Sequence, residues 1–193
     1  MTGGPAFRAP RAAAVAVGCY VVHGAWHCAH GRPEDLLWMC NVSALLVGVG
    51  LARGAPGPLS IGLSWLATGT PLWLADLLGG GELVPTTLLT HGVAFGLGLW
   101  GASRLPWPAG SAWRSLAAMA ALQQLCRWVT PPRANINIAH RIHPGMDRYF
   151  HSYTGYWLAC TVAFATAFGA VEALGRWRTS RRSLAGAGAR VKA

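Results

Sequence analysis

Histidine side chains are concentrated where one apolar segment ends and the next begins. His23, His27 and His30 are spaced by four and three residues, so a helix would present them on one face. Imidazole nitrogens on one face can ligate a metal ion or the iron of a haem. The alternative is that they line a wet cavity or lie among lipid headgroups, because no carboxylate or thiolate spacing beside them completes a metal motif. Both interpretations stay open.

Cys40 has the neighbours expected of a nucleophile. Asn41 follows it, and Ser43, a less favoured nucleophile, lies three residues beyond. Cys40 also lies about two turns inside its apolar segment, beyond the reach of the helix dipole, so a base must take its proton. His91 is the candidate base, because it lies at the matching depth of another apolar segment. The alternative is that Cys40 only packs, as most buried cysteines do.

The composition indicates a membrane protein with several spans. The 193 residues are 53% hydrophobic and 11% charged, with ten tryptophans and a mean hydropathy of +0.35. The net charge of +10 does not indicate nucleic acid, because six of the sixteen basic residues lie in the last eighteen positions, where they would contact anionic lipid. We therefore predict a multi-pass protein of a bacterial inner membrane, with membrane lipid as its partner and no nucleic-acid partner.

Six apolar segments are long enough to cross the roughly 30 Å of a bilayer interior. They cover about residues 12–29, 35–53, 59–78, 85–104, 111–129 and 153–177, with breaks rich in Gly and Pro between them. The predicted fold is all-α, a polytopic bundle of about six transmembrane helices forming one domain over residues 1–177. Residues 178–193 are predicted to be a basic, disordered cytoplasmic tail. Glu34 and Asp35 follow Pro33 and are interpreted as first-turn acids of the second helix.

The basic residues predict the orientation of the bundle. With a cytoplasmic N-terminus, eleven basic residues lie on the inner side and five on the outer side, so both termini are predicted to be cytoplasmic. All seven histidines then fall in the outer half of the protein. Ionisable groups within spans are costly and usually face the interior of a bundle, so we predict one polar cavity that opens outward.

Further polar residues at the same level are candidates for substrate binding. They are Asn41, Asp76, Gln123, Gln124, Arg127 and His140. Arginines on the outer side run against the usual charge distribution, and guanidinium groups bind phosphate bidentately, so lipid headgroups are candidate ligands. The alternative is that these arginines pair with nearby acids or with lipid in general.

Three stretches resemble the YwaF-type family of small bacterial membrane proteins with six spans. They are LLWMCNVSALL, then GTPLWLADLL with PTTLLTHG, and finally the loop PPRANINIAHRIHPGMDRYFHSYTGYWL, within about residues 36–158. That family is similar to a vertebrate transmembrane acyltransferase thought to carry its acyl group on a Cys, and more distantly to the androgen-induced hydrolases of fatty-acid esters, which use Thr and His. The resemblance implies a Cys40 nucleophile, a His91 base and a role for Asn135 and Asn137. Trp38-Met39 replaces the family's His-Leu before the Cys, and the histidine-rich end of the first segment is not part of its pattern.

Two functions follow as hypotheses. The first is an acyltransferase or lipid-ester hydrolase at the outer leaflet, without a cofactor, in which Cys40 attacks an acyl carbonyl, His91 takes the proton and Arg127 holds the headgroup. The second is a non-enzymatic binder or carrier in which His23 and His27 hold a metal ion, a haem or another small ligand.

The predicted orientation has a direct test. Thiol or protease accessibility mapping on intact cells is expected to reach the loop of residues 131–152 from outside and to leave residues 179–193 protected. Access to residues 179–193 from the external face would reverse the orientation.

Overall fold

The computed structural model describes residues 7–191 of the chain, and the side chains of residues 7–182. Over these residues the protein is all-helical, with six α-helices and no strand, as predicted. The helices are α1 Pro10–Ala29, α2 Met39–Arg53, α3 Pro56–Leu78, α4 Phe95–Ala102, α5 Ser111–Val129 and α6 Tyr153–Val191. Three shorter elements join them: a 3₁₀ helix Pro33–Leu37 before α2, a π-helix Leu89–Ala94 before α4 and a 3₁₀ turn Ile136–Ile138 before α6.

Two segments are long and apolar enough to cross a membrane, namely Pro10–Ala29 and Tyr153–Arg182, which is fewer than the six predicted. Three of the intervening helices, α2, α4 and α5, are too short or too polar to meet the same criterion. Helix α2 has 15 residues and is therefore only about 22 Å long. Helix α4 is short because the π-helix occupies part of its predicted segment, and α5 contains polar residues such as Gln123 and Gln124.

The second predicted segment divides at Trp38. Its φ and ψ of −57° and 135° are extended, so the 3₁₀ helix ends there and α2 starts at Met39. Cys40 is therefore the second residue of α2 and not a residue two turns inside a helix, which corrects the depth predicted from Pro33. The fourth segment also differs, because His91 lies in the π-helix and not in a regular α-helix.

The last helix is longer than predicted. It was expected to end at Trp177 and to be followed by a disordered tail, but α6 continues through Val191. The basic segment from residue 178 to 191 is thus helical, and residues 192–193 lie outside the described residues.

Close contacts between helices hold α2 in the middle of the structure, where it packs against both α1 and α3. A Cβ added at Gly62 of α3 would lie 2.8 Å from the carbonyl oxygen of Ser43, and one at Gly50 of α2 would lie 2.8 Å from the Leu59 nitrogen. Glycine at these positions lets the α2 and α3 backbones approach closely. Helix α3 also contacts α4, α5 and α6.

The helices alternate in direction, so their ends fall into two groups. The end of α1 contacts the turn before the π-helix through His23 and Thr86, whereas the start of α1 contacts the end of α2 through Ala9 and Leu51. We call the group formed by the ends of α1, α3 and α5 and the starts of α2, α4 and α6 the histidine end.

At the opposite end, Glu172 of α6 caps the start of α5. Its Oε1 accepts a hydrogen bond from Gly110 N at 2.8 Å, and its Oε2 accepts one from Ala112 N at 2.8 Å. The first N–H groups of a helix have no partner within the helix, so a carboxylate placed there satisfies donors that would otherwise be unpaired.

This cap predicts a loss of stability in Glu172→Ala. Charge-assisted hydrogen bonds are lost and backbone donors are left unpaired, so we expect the free energy of unfolding to fall by about 2 kcal/mol. Thermal unfolding of the purified protein in detergent measures the change. Glu82→Ala is the control, because its carboxylate is 66% exposed and, among the described residues, pairs with Arg32 alone. A Glu172→Ala protein as stable as the control would contradict the capping role.

Candidate functional site

A chain of polar contacts crosses the histidine end. His23 Nδ1 lies 2.7 Å from Thr86 Oγ1, and His23 Nε2 lies 3.1 Å from His27 Nε2. On the other side of its ring, His27 Nδ1 lies 3.1 Å from Asp35 Oδ2. Both histidines are buried, and their rings meet edge to face. The spacing of four residues thus brings two of the predicted histidines into direct contact.

A close approach of α1 to the 3₁₀ helix places Asp35 beside His27. Gly31 turns the chain after α1 with a φ of +70°, which glycine adopts without strain. Gly24 then lies against Leu36, where an added Cβ would be 2.9 Å from Leu36 Cδ2. The absence of a side chain at Gly24 allows the 3₁₀ helix to lie against α1.

Asp35 is surrounded by donors. Trp38 Nε1 donates a hydrogen bond to its Oδ1 at 3.2 Å, and Arg32 Nε lies 3.6 Å from its Oδ2. Arg32 also reaches Glu82 at the rim, at 3.2 Å. His27 Nδ1 and Asp35 Oδ2 are as close as an ion pair, but their geometry is not that of a hydrogen bond. Asp35 was predicted to be only a first-turn acid, and its carboxylate instead anchors this network.

His30 lies outside the network, although the spacing predicted that it shares a face with His23 and His27. It follows the last residue of α1 and is exposed, stacked on Trp26 with ring centroids 3.9 Å apart. Its Nδ1 lies 2.7 Å from the Trp26 carbonyl oxygen. The helix ends before the third histidine can join the buried pair.

His91 lies in a second buried polar contact. Its Nδ1 lies 3.0 Å from Thr70 Oγ1, and its ring stacks on Trp73 with centroids 4.7 Å apart and planes 7° from parallel. The π-helix that carries it is a distortion often found at functional sites. His91 is also close enough to His23 for the two rings to interact electrostatically.

Cys40 is half-buried against α3. Its Cβ lies 3.6 Å from the point that a Cβ at Gly69 would occupy, one residue from Thr70. Its Sγ lies 3.9 Å from Asn41 Oδ1, a weak contact, and the described residues show no hydrogen bond between Cys40 and His91. Cys40 and His91 therefore contact neighbouring residues of α3 without contacting each other through a hydrogen bond.

The loop before α6 holds the start of α2 in place. Asn137 Oδ1 accepts a hydrogen bond from Met39 N at 2.8 Å, and its Nδ2 donates one to Leu37 O at 2.7 Å. Gln123 Nε2 in turn donates to Asn137 O at 2.9 Å. Asn137 has a φ of +52°, a left-handed conformation that asparagine tolerates better than most residues. Asn137 and Gln123 thus fix the break at Trp38, next to Cys40.

The remaining predicted substrate-binding residues are dispersed. Arg127 donates hydrogen bonds to Ala139 O and Tyr153 Oη, at 2.8 and 2.7 Å, so it stabilises the loop. Asn135 Oδ1 accepts hydrogen bonds from the backbone of His140 and Arg141. Asp76 is exposed near the end of α3, and Gln124 is half-buried with no hydrogen bond among the described residues. The outward-opening cavity stays a prediction, and Asn41 is buried and donates to Asp35 O at 2.7 Å.

Sequence reasoning missed both threonines that contact the histidines. Thr70 and Thr86 lie in segments interpreted only as apolar spans. A signal was present in each case, because Thr70 precedes Pro71 and Thr86 follows Pro85. A hydroxyl next to proline in an apolar segment is a candidate partner for a buried polar side chain.

The residues that the structure describes include no group of three or more His, Cys, Asp or Glu side chains arranged to hold a metal ion. His23 Nε2 and His27 Nε2 face each other, so a hydrogen bond accounts for their contact. Metal or haem binding by these histidines stays a prediction. Comparisons with models of protein families, with curated proteins and with solved structures give no significant match.

The Asn137 clamp predicts a local effect of mutation. Asn137→Ala removes both contacts across the break, so amide exchange in residues 37–41 should accelerate by about five- to tenfold, as expected for the loss of about 1 kcal/mol. Hydrogen exchange measured by mass spectrometry tests this, with Gln124→Ala as the control. Asn137→Asp keeps the acceptor for Met39 N and should have a smaller effect. Unchanged exchange in Asn137→Ala would show that the break is held by other contacts.

Proposed function

We propose that this protein is a multi-pass protein of the cell membrane that transfers or hydrolyses the acyl group of a lipid ester through Cys40 and His91. The membrane setting is supported by α6. Its most apolar window has a mean hydropathy of 1.6, yet only 6% of that window is buried. An apolar helix that packs so little of its surface against protein requires another apolar environment, which a bilayer supplies.

Exposed apolar side chains on the intervening helices extend this proposal to the whole bundle. Leu72 of α3 is 57% exposed and Trp113 of α5 is 64% exposed, which is similar to Val162 of α6 at 66%. Helices that alternate in direction between two membrane-crossing helices would also lie across the bilayer. We therefore propose six spans, with the shorter helices completed by the 3₁₀ helix and the π-helix.

The arginine distribution supports an outward-facing histidine end. The guanidinium group of Arg127 already donates a hydrogen bond to the loop before α6. Arg133 and Arg148, which lie in that loop, are exposed. Exposed guanidinium groups at a membrane surface suit the phosphate of a lipid headgroup. A lipid is thus proposed as both the environment and the substrate.

One observation carries the proposed chemistry: Cys40 lies against Gly69 of α3, and His91 contacts Thr70, the next residue of the same helix. In the tautomer in which His91 Nδ1 donates its proton to Thr70 Oγ1, Nε2 is the nitrogen that can accept a proton. The Trp73 ring fixes the plane of the imidazole. A histidine oriented by a third group can serve as the base for a thiol that comes within hydrogen-bond reach of it.

The proposed reaction is a balanced double displacement. The Cys40 thiol proton passes to His91 Nε2, the sulfur bonds to the carbonyl carbon of the ester, and the carbon–oxygen bond to the alcohol breaks. The leaving alkoxide takes the proton from His91. A second alcohol or a water then attacks the thioester, its proton passes through His91 to the thiolate, and the product is a new ester or a fatty acid.

Thioester formation tests this proposal. Purified protein in vesicles is incubated with a phospholipid carrying an alkyne-tagged acyl chain. We expect a hydroxylamine-sensitive label on Cys40, absent in Cys40→Ala and reduced about 100-fold in rate in His91→Ala, as for the loss of a general base. Cys160→Ala is the matched control, because Cys160 is a half-buried cysteine on α6. A label shared equally with Cys28 and Cys160, or one unaffected by His91→Ala, would contradict the proposal.

A further inference from the structure

Helices α5 and α6 run antiparallel and are joined by polar contacts at two levels. At one level, Glu172 of α6 accepts hydrogen bonds from Gly110 and Ala112 at the start of α5. At the other, Trp157 Nε1 of α6 donates a hydrogen bond to Gln123 Oε1 of α5 at 2.5 Å. A groove of about 360 Å³ lies between the two helices, between these levels. Its volume is within the roughly 300–1,000 Å³ of sites that bind small molecules.

The chemistry of the walls selects the kind of molecule that fits the groove. The walls are formed by Leu116, Ala117, Met119 and Ala120 of α5 and by Trp157 and Thr161 of α6. The polar side-chain atoms among them are already paired, because Trp157 donates to Gln123 and Thr161 Oγ1 donates to Trp157 O at 2.8 Å. Gln123 Nε2 is also used, in its hydrogen bond to Asn137 O. A ligand here gains free energy by burying apolar surface and not by hydrogen bonding, which favours a hydrocarbon chain.

The length and position of the groove match one leaflet of a bilayer. The groove extends along α5 from Trp113 to Gln123, a rise of about 15 Å. The hydrocarbon interior of a bilayer is about 30 Å thick, so one leaflet contributes about half of it. Trp113 and Ala117 are exposed, so the groove is open to its surroundings. In the membrane setting proposed above, those surroundings are the acyl chains of lipids.

Hydrogen-bond donors stand at the Trp113 end of the groove, which is the end away from the histidine end. Trp113 Nε1 and Arg114 Nη2 lie 2.8 and 3.7 Å from the point that a Cβ at Gly110 would occupy. Trp113 is 64% exposed, and its indole N–H makes no hydrogen bond among the described residues. Arg114 is exposed and donates one hydrogen bond, to Ala109 O, although a guanidinium has five N–H groups. Both side chains can therefore donate to a headgroup.

We propose that this groove binds one anionic phospholipid of the leaflet opposite to the histidine end. The acyl chain lies in the groove, and the phosphate accepts hydrogen bonds from Arg114 and Trp113, since guanidinium binds phosphate bidentately and indole commonly lies at headgroup level. The site rests on the membrane setting of the proposed function and not on the chemistry of Cys40. It also lies in the other leaflet from the proposed substrate.

The charges at this end favour a headgroup with a net negative charge. Arg176 and Arg178 of α6 are exposed there, whereas Glu172 is occupied by the cap of α5. The same charges disfavour a second copy of the chain in the groove. A symmetric dimer in a membrane would bring the two Arg114 side chains to the same end of its interface, where like charges repel.

Photo-crosslinking tests the site and the direction of the lipid in it. Full-length protein is reconstituted in phosphatidylcholine vesicles that contain a trace of phosphatidylglycerol with a diazirine on its acyl chain. Crosslinked residues are assigned by mass spectrometry. A diazirine at the end of the chain is expected to label around Ala120 and Gln123, and one next to the glycerol is expected to label around Trp113. Unlabelled phosphatidylglycerol should compete more strongly than unlabelled phosphatidylcholine.

Substitutions in the groove separate a bound lipid from the surrounding lipid. Ala120→Trp fills the groove and is expected to reduce labelling there about tenfold. Ala121→Trp is the matched control, because Ala121 is exposed on the same helix and does not line the groove. Ala117→Leu is a smaller change that keeps the test if Ala120→Trp does not fold. Arg114→Gln should retain the label on the groove but lose the preference for phosphatidylglycerol.

The result that overturns the proposal is equally defined. Labelling that is as strong at Val162 as in the groove, that follows the reverse order along α5, or that falls equally in Ala121→Trp would show that no lipid is held there. Crosslinks between two chains in place of lipid labelling would assign the groove to a second copy. Flotation with the vesicles is scored first and thioester formation on Cys40 separately. Protein that floats but lacks the groove label contradicts this site alone.

Discussion

The break at Trp38, held by Asn137, is the constraint on which the positions of Asp35 and Cys40 at the histidine end depend. An uninterrupted helix from Pro33 would carry Asp35 and Cys40 along one axis. The extended backbone at Trp38 instead separates a 3₁₀ helix, which brings Asp35 to His27, from α2, which packs Cys40 against α3. Asn137 donates to the last residue before the break and accepts from the first residue after it. A loop 98 residues away in sequence thus sets the geometry of both groups.

Threonine hydroxyl groups provide hydrogen-bond partners for the imidazole rings that are buried in this apolar bundle. A neutral histidine has one donor and one acceptor, and a threonine hydroxyl can satisfy either of them without adding charge. Thr86 meets His23 and Thr70 meets His91, so each ring has a polar partner within its own half of the site. Among the described residues, Asp35 is the carboxylate that contacts one of these rings, and Arg32 and Trp38 compensate its charge. Buried polar groups need such partners to be tolerated.

The presence and order of the six helices could be predicted from the sequence, because apolar length and the Gly and Pro breaks are local signals. The pairing of His23 with His27 was also predictable from a spacing of four residues. The break at Trp38 was not, since it depends on Asn137 from a distant loop. The loop contacts of Arg127 could not be predicted for a related reason: backbone carbonyls of a folded loop accept from it, and no sequence pattern shows where loop carbonyls will point. The roles of Thr70 and Thr86 could not be predicted, because threonine is common in apolar segments.

The two histidine groups are close enough to influence each other, and the placement of Asp35 limits that influence. His23 and His91 interact electrostatically, so a positive charge on either ring disfavours a charge on the other. A single histidine at His23 would therefore work against proton uptake at His91. Of the two buried rings on α1, His27 is the one that lies beside a carboxylate, 3.1 Å from Asp35 Oδ2. A positive charge is therefore stabilised at His27, whereas the threonine hydroxyls that contact His23 and His91 add no charge that could stabilise one there.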